Sequence, residues 1–114
     1  EADKPPRRLI ERSAAYLGEH CCEALNLDDI LAGANMSRSY FMKLFRQYMG
    51  TTPYNYMLCF RITRAKELLS QTDLPVSTIA RQTGFADDSN FSTRFAAMVG
   101  ESPIRFRKNA LRSK

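Results

Sequence analysis

Residues 79–103 have the sequence IARQTGFADDSNFSTRFAAMVGESP. Apolar residues recur there at helical spacing, first in a short segment and then, after a turn, in a longer one. Gly84 suits the turn because glycine readily adopts a positive φ. A short helix, a tight turn and a longer helix make a helix-turn-helix unit. We therefore predict such a unit here, with its second helix at about residues 88–99.

The same pattern occurs once more, earlier in the chain. Residues 30–53 read ILAGANMSRSYFMKLFRQYMGTTP, and Ile30 matches Ile79 at an offset of 49 residues. Phe41 matches Phe91 at an offset of 50, so the second copy has one extra residue in its turn. Self-similarity of this kind indicates a repeated supersecondary unit. We therefore predict two helix-turn-helix units.

Local signals define the longer helix of the first unit, which we predict at about residues 37–49. Ser37 is the predicted N-cap, because its hydroxyl can accept hydrogen bonds from the free amides of the first turn. Gly50 is predicted to end the helix. Asn35 occupies the preceding turn, where asparagine tolerates the left-handed region.

A long helix joins the two units. Thr52-Pro53 predicts its start, because proline is favoured at the first helical position, and its pattern continues to about Ser70. No segment shows the alternation of a strand, so the predicted fold class is all-α. The polar, proline-bearing start is typical of an interdomain linker, so we expect this chain to be the end portion of a longer protein. We divide it into a linker (1–6), the first unit (7–51, with a helix at 7–21), the connecting helix (52–70), the second unit with a final helix (71–109) and a tail (110–114).

Charge is distributed unevenly along the chain. There are 17 Lys and Arg against 12 Asp and Glu, a formal net charge of +5, which favours an anionic partner such as nucleic acid. From Met36 to Lys66 there are six basic residues and no acidic one, residues 76–100 are formally neutral, and the final helix is basic again. A charge run alone is more often a solvated helix face. On two helix-turn-helix units, the same charges indicate nucleic-acid binding.

Composition excludes several classes of protein. Hydrophobic residues at 44% and charged residues at 25% are typical of a globular domain, and no apolar run reaches the about 18 residues of a membrane span. Cys21, Cys22 and Cys59 form no CxxC pair, and His20 is the single histidine. We therefore predict no metal site, no cofactor and no enzyme. This cysteine usage is typical of a reducing cytoplasm.

Several ordered motifs resemble those of a known family. The connecting helix contains TTPYNYM at residues 51–57 and RITRAKELL at residues 61–69. The second unit contains, in order, Ile79-Ala80, GFADDSNF at 84–91, Arg94-Phe95, GESP at 100–103 and Phe106-Arg107. Together with the two units and their bridge, residues 8–108 resemble the DNA-binding domain of the AraC/XylS transcription regulators.

This resemblance implies an all-α domain of seven helices whose two recognition helices, 37–49 and 88–99, enter successive major-groove segments of duplex DNA. In the family this domain commonly follows an effector-sensing or dimerisation domain, so we expect any dimerisation outside this chain. RNA polymerase is an expected partner of the full-length regulator. The roughly 17 residues of the connecting helix span about 25 Å, which with flanking turns suits the ~34 Å of one DNA turn. If that helix is merely buried in one core, the spacing argument is lost.

The outer faces of the recognition helices supply candidate base readers, because each base pair presents a distinct pattern in the major groove. Lys43 can donate to guanine, whereas Met42 and the Thr93 methyl can pack on a thymine methyl. Asp88 can accept from cytosine, or it acts as a cap or first-turn acid. The full set is Ser39, Met42, Lys43, Asp88, Ser89, Ser92 and Thr93.

Arginines on or near the recognition helices are predicted to contact phosphates, which fix register without reading sequence. They are Arg38, Arg46, Arg61 and Arg94. The alternative for each is solvation or intramolecular pairing. The second recognition helix has Thr93, Ala96 and Ala97 where the family often has basic residues, so we expect the first unit and the connecting helix to supply most of the affinity.

A protein-interaction module built on the same scaffold is the alternative function, because a fold does not fix a function. The two functions differ in their response to salt. A DNA reader loses affinity steeply as salt rises and enriches a sequence motif, whereas an interaction module does neither.

Overall fold

The structure, a computed structural model, describes residues 5–24, 26–32 and 35–112. This part of the chain contains seven α-helices and no strand. They are α1 (Pro5–Glu19), α2 (Leu27–Ala32), α3 (Arg38–Met49), α4 (Pro53–Gln71), α5 (Val76–Gln82), α6 (Asp88–Val99) and α7 (Pro103–Arg112). The predicted all-α class with seven helices is therefore confirmed. Residues 33–34 of the first predicted unit, residues 1–4 of the predicted linker and residues 113–114 of the predicted tail lie outside the described residues.

Helix α1 begins and ends two residues earlier than its apolar pattern predicts. Pro5 and Pro6 form its first turn, where a missing backbone N–H costs nothing because these amides have no helical acceptor. At the other end the helix gives way to a turn at residues 20–22. The helix predicted at about residues 7–21 is therefore present, but it begins earlier than predicted because apolar spacing does not register proline at a helix start.

The two recognition helices have matching caps. Tyr40 N donates to Ser37 Oγ at 3.1 Å, and Asn90 N donates to Asp87 Oδ1 at 2.7 Å. Gly50 and Gly100 end the helices with φ of 83° and 97°, the left-handed region that favours glycine. The predicted roles of Ser37 and Gly50 are confirmed, and both helices are held at fixed start and end points.

The first compact unit, Glu1–Cys59, is built around α1 and α3, which pack against each other. Ile10 and Leu17 of α1 and Phe41 and Phe45 of α3 are fully buried. Met57, on the first half of α4, completes this core at 2% exposure. Asn35 adopts a φ of 54° in the turn before α3, as its residue type predicts.

The second compact unit, Phe60–Lys114, packs α5 and α7 against α6. Its core is a chain of aromatic rings with centroid distances of 5.0 Å from Phe85 to Phe91, 5.6 Å from Phe91 to Phe95 and 5.5 Å from Phe95 to Phe106. The Thr83 hydroxyl, fully buried, donates to the Ile79 carbonyl at 2.6 Å. The division between the two units falls between Cys59 and Phe60, inside α4.

Candidate DNA interface

One solvent-facing stripe of α3 carries most of the first unit's predicted contacts. The helix buries Phe41 and Phe45 against α1, which leaves the opposite side exposed. The stripe positions follow the i, i+3, i+4, i+7 spacing of one helix face and are Ser39, Met42, Lys43 and Arg46. Met42 is half-buried and packs against the core, while the other three side chains are exposed. The fold therefore brings the candidates of the first unit together on one face.

Helix α6 presents a stripe in the same register. Its positions lie 50 residues after those of α3 and are Ser89, Ser92, Thr93 and Ala96. Phe91 and Phe95 are fully buried, so this stripe also faces away from the core of its unit. Ser89 and Thr93 are exposed and Ser92 is half-buried. Each recognition helix thus presents equivalent positions, but every cation of the first stripe is replaced by a neutral residue in the second.

The basic side chains of α3 have few acidic partners, which leaves them able to bind phosphate. Among the described residues, no carboxylate oxygen lies within 4.0 Å of the Lys43 or Arg46 side chain. Arg38 Nη2 donates to Asp28 Oδ1 at 3.3 Å, in a pair whose side chains are 59% and 84% exposed. An ion pair so exposed is worth at most about 1 kcal/mol. The Arg38 guanidinium can therefore exchange Asp28 for a phosphate at little cost.

The first turn of α6 is acidic. Asp87 caps the helix, and Asp88 occupies the first turn, where a carboxylate is favoured by the helix dipole. Asp88 is exposed and remains a candidate base reader as well. Arg94 is exposed but lies about 100° further round the helix than Thr93, at the register of buried Leu44. The cation of α6 therefore stands off the stripe that carries the other candidates.

Arg61 is buried, which contradicts the expectation that it contacts phosphate. Its side chain is 5% exposed, and its Cζ lies 5.9 Å from the centroid of the Phe85 ring within the second unit. A guanidinium over an aromatic face is held by a cation–π interaction. The helical spacing of α4 could have predicted this burial, because residues 61, 65 and 68 share one helix face and Ala65 and Leu68 are buried.

Two other basic residues are engaged inside the second unit. Arg107 donates through Nε to the Leu69 carbonyl at 3.0 Å and through Nη2 to the Thr72 carbonyl at 3.2 Å. The Leu69 carbonyl lies in the last turn of α4 and Thr72 directly follows the helix, so Arg107 satisfies acceptors that a helix end leaves open. Lys66 Nζ lies 6.0 Å from the Phe106 ring centroid. Lys66 itself is exposed, so a count of charges along the sequence does not show which cations already have a partner within the protein.

Gln47 is a further candidate that the sequence analysis missed. It is exposed and lies one turn after Lys43, at the i+8 edge of the α3 stripe. A glutamine amide can pair with adenine through two hydrogen bonds. The helical spacing of the α3 stripe could have indicated Gln47. The comparison of the two repeats did not, because the equivalent position of α6 is Ala97, which has no polar group.

Neither a metal centre nor a membrane span is found in the described part of the chain. No group of three or more His, Cys, Asp and Glu side chains there is arranged to hold a metal ion. No described helix is long and apolar enough to cross a membrane.

Comparison with known proteins connects these stripes to a family. A family model described as a helix-turn-helix domain matches residues 30–109. The uncharacterized HTH-type transcriptional regulator YisR of Bacillus subtilis is 35% identical over 101 residues, which cover 89% of this chain and 35% of YisR. The chain spans only about a third of the length of the curated relatives it matches.

Two solved structures resemble the fold closely. One is the DNA-binding domain of AdpA in complex with a target DNA, with a TM-score of 0.79, 28% identity, and coverage of 88% of this chain and 90% of that one. The other is a regulator from Chromobacterium violaceum described as containing an AraC-type DNA-binding domain. Its TM-score is 0.79, its identity 29%, and the match covers 90% of this chain and 92% of the other.

Proposed function

The chain belongs to the AraC/XylS family of helix-turn-helix transcriptional regulators and has the fold of their DNA-binding domain, and we propose that it reads two successive major-groove segments through α3 and α6. The observation that carries this proposal is the pair of outward-facing stripes at equivalent positions of the two helices. The likeness to the AdpA domain, whose structure contains its target DNA, supports it.

Within this proposal the two stripes read bases by different chemistry. Lys43 donates to guanine O6 and N7, and Gln47 pairs with adenine. Helix α6 reads through hydroxyl and methyl groups, which form hydrogen bonds or pack on a thymine methyl. The proposed base readers are Ser39, Met42, Lys43 and Gln47 of α3 and Asp88, Ser89, Ser92 and Thr93 of α6.

We further propose that the first unit supplies most of the phosphate contacts. Arg38 and Arg46 flank Lys43 on α3. Arg46 is exposed and Arg38 has only its exposed pair with Asp28 to give up, so both can contact the DNA phosphates. Helix α6 contributes Arg94 alone and carries an acidic first turn. Arg61 is left out because it is buried. Most of the salt-dependent affinity then comes from the first unit.

The parent regulator extends beyond this domain in the proposal. The match covers only about a third of each relative's length, which leaves room for a sensing or dimerisation domain. RNA polymerase is the proposed protein partner of the full-length regulator. The cytoplasm is the proposed location, where DNA is accessible and thiols remain reduced.

Selection of bound duplexes from a random pool tests the proposal. We expect an enriched motif made of two blocks about 10 bp apart, centre to centre, which corresponds to one helical turn. Affinity for that motif should fall steeply with salt. Absence of an enriched motif together with a flat salt response would instead identify a protein-interaction module.

A further inference from the structure

Two adjacent thiols lie in the turn that follows α1. Cys21 Sγ and Cys22 Sγ are 3.7 Å apart, and both side chains are half-buried. Cys21 packs against the core of the first unit. The DNA-reading role proposed above uses neither residue, so this pair requires its own explanation.

Hydrogen bonds on both sides of the pair hold the turn in shape. His20 N donates to the Tyr16 carbonyl at 2.9 Å, and Glu23 N donates to the His20 carbonyl at 3.1 Å, closing the turn around both cysteines. The side chains repeat this closure, with His20 Nδ1 2.8 Å from Glu23 Oε2. The His20 ring also stacks on the Tyr16 ring at a centroid distance of 4.2 Å. The two sulfurs are therefore presented by a braced backbone.

A disulfide between these cysteines is disfavoured by geometry. Adjacent Cα atoms are about 3.8 Å apart, whereas disulfides need Cα atoms at least about 4.4 Å apart. Closing the bond would strain the turn, and the strain would make it easily reduced. The pair is therefore expected to persist as a dithiol.

The same distance suits a single atom bound to both sulfurs. An atom about 2.3 Å from each sulfur, the length of a zinc–thiolate bond, spans 3.7 Å at an angle of about 107°, close to tetrahedral. Linear coordination by two sulfurs would need a wider separation. The geometry thus fits a centre with a bent pair of sulfur ligands.

The surroundings narrow the identity of that centre. No group of three or more His, Cys, Asp and Glu side chains in the described residues is arranged to hold a metal ion, although His20 and Glu23 flank the pair, and zinc in proteins takes three or four such ligands. A trivalent arsenical needs only two thiolates when it already carries one organic group. We propose that Cys21 and Cys22 form a chelating site for a monosubstituted trivalent arsenical.

Binding of the arsenical needs no oxidant or reductant. With phenylarsine oxide as the probe, each thiol loses its proton and two arsenic–sulfur bonds replace the arsenic–oxygen bond. The oxygen leaves with both protons as water, and arsenic stays trivalent throughout. The product is a single ring that contains the arsenic atom, both sulfurs and the stretch of backbone that joins the two residues.

Intact-mass measurement of the chain with one equivalent of phenylarsine oxide, in excess glutathione, tests this site. We expect one phenylarsenic group per chain that survives the monothiol and is removed by an added dithiol. Cys59→Ser is the matched control, because Cys59 is exposed and has no neighbouring cysteine in sequence. It should retain the adduct fully, whereas Cys22→Ser and Cys21→Ser should each lower retention at least tenfold.

Two further arms keep the test decisive. Cys21→Ala preserves an apolar contact with the core if Cys21→Ser fails to fold, and it should lose the adduct equally. Equimolar Zn²⁺ should not displace the arsenical. Retention by Cys22→Ser, an equal loss in Cys59→Ser, or displacement by Zn²⁺ would overturn the proposal, and none of these outcomes bears on DNA binding.

Discussion

Lys43 and Arg46 are neighbours on the exposed stripe of α3, yet we assign them different tasks. Lys43→Ala should weaken binding to the selected duplex by about 1–3 kcal/mol and relax the preference at one base pair. Arg46→Ala is the matched control and should weaken binding to all sequences alike. Fluorescence anisotropy on the selected duplex and its single-base variants measures both effects. An equal loss on every duplex for Lys43→Ala would remove Lys43 from the base readers.

Arg61 shows what charge alone cannot reveal about a residue. Because its guanidinium is buried over Phe85, we expect Arg61→Ala to destabilise the second unit by about 2 kcal/mol, since both packing and cation–π attraction are removed. The salt dependence of DNA binding should stay the same. Urea unfolding measures the stability change.

Arg64 is the matched control for this prediction, since it also lies on α4 but is 55% exposed and pairs with Glu67 at 2.9 Å. Arg64→Ala should change stability by at most about 0.5 kcal/mol. If Arg61→Ala lowered the salt dependence and left the unfolding midpoint alone, the buried assignment would be contradicted.

At the scale of the element, the caps define where each recognition helix begins. Asp87→Ala should cost about 1 kcal/mol, because the backbone N–H of Asn90 loses its acceptor at 2.7 Å. Asp88→Ala is the control. The Asp88 carboxylate interacts only with the helix dipole, and that interaction contributes about 0.3–1 kcal/mol to stability when the group is exposed. Thermal or urea unfolding of both variants compares them. A larger loss of stability for Asp88→Ala than for Asp87→Ala would contradict the assignment of Asp87 as the N-cap.

The elements were largely predictable from the sequence because their signals are local. Ser37, Gly50 and Thr52-Pro53 mark helix ends through hydrogen bonding and backbone preference, and the structure places helix ends at all of them. Helix α1 begins two residues before its predicted start, because proline in the first turn interrupts no required hydrogen bond and the apolar pattern does not show it.

The candidate site was predictable only in part, because exposure depends on packing. The repeat offset placed equivalent stripe positions on α3 and α6, which the helical period then aligned. Burial of Arg61 and the engagement of Arg107 at the end of α4 depend on contacts with residues distant in sequence. A count of charges along the chain cannot show such contacts.

At the scale of the whole molecule, we propose that the two units contribute unequally to DNA binding. The first unit carries cations at stripe positions where the second has serine, threonine and alanine. In the proposed function both units read sequence, whereas the first unit supplies most of the contacts to the DNA phosphates. The net charge of +5 is therefore less informative than the position of each cation relative to the recognition faces.

The salt dependence of binding to the selected duplex tests this claim most directly. The variant with Arg38, Lys43 and Arg46 all replaced by alanine should lower the slope of log K against log salt by about two, because Arg38 and Arg46 each neutralise one phosphate. The matched control replaces Arg105, Lys108 and Arg112 of α7 by alanine, which removes the same charge, and its slope should stay unchanged. An unchanged slope for the α3 variant, or an equal fall in the α7 variant, would contradict the account.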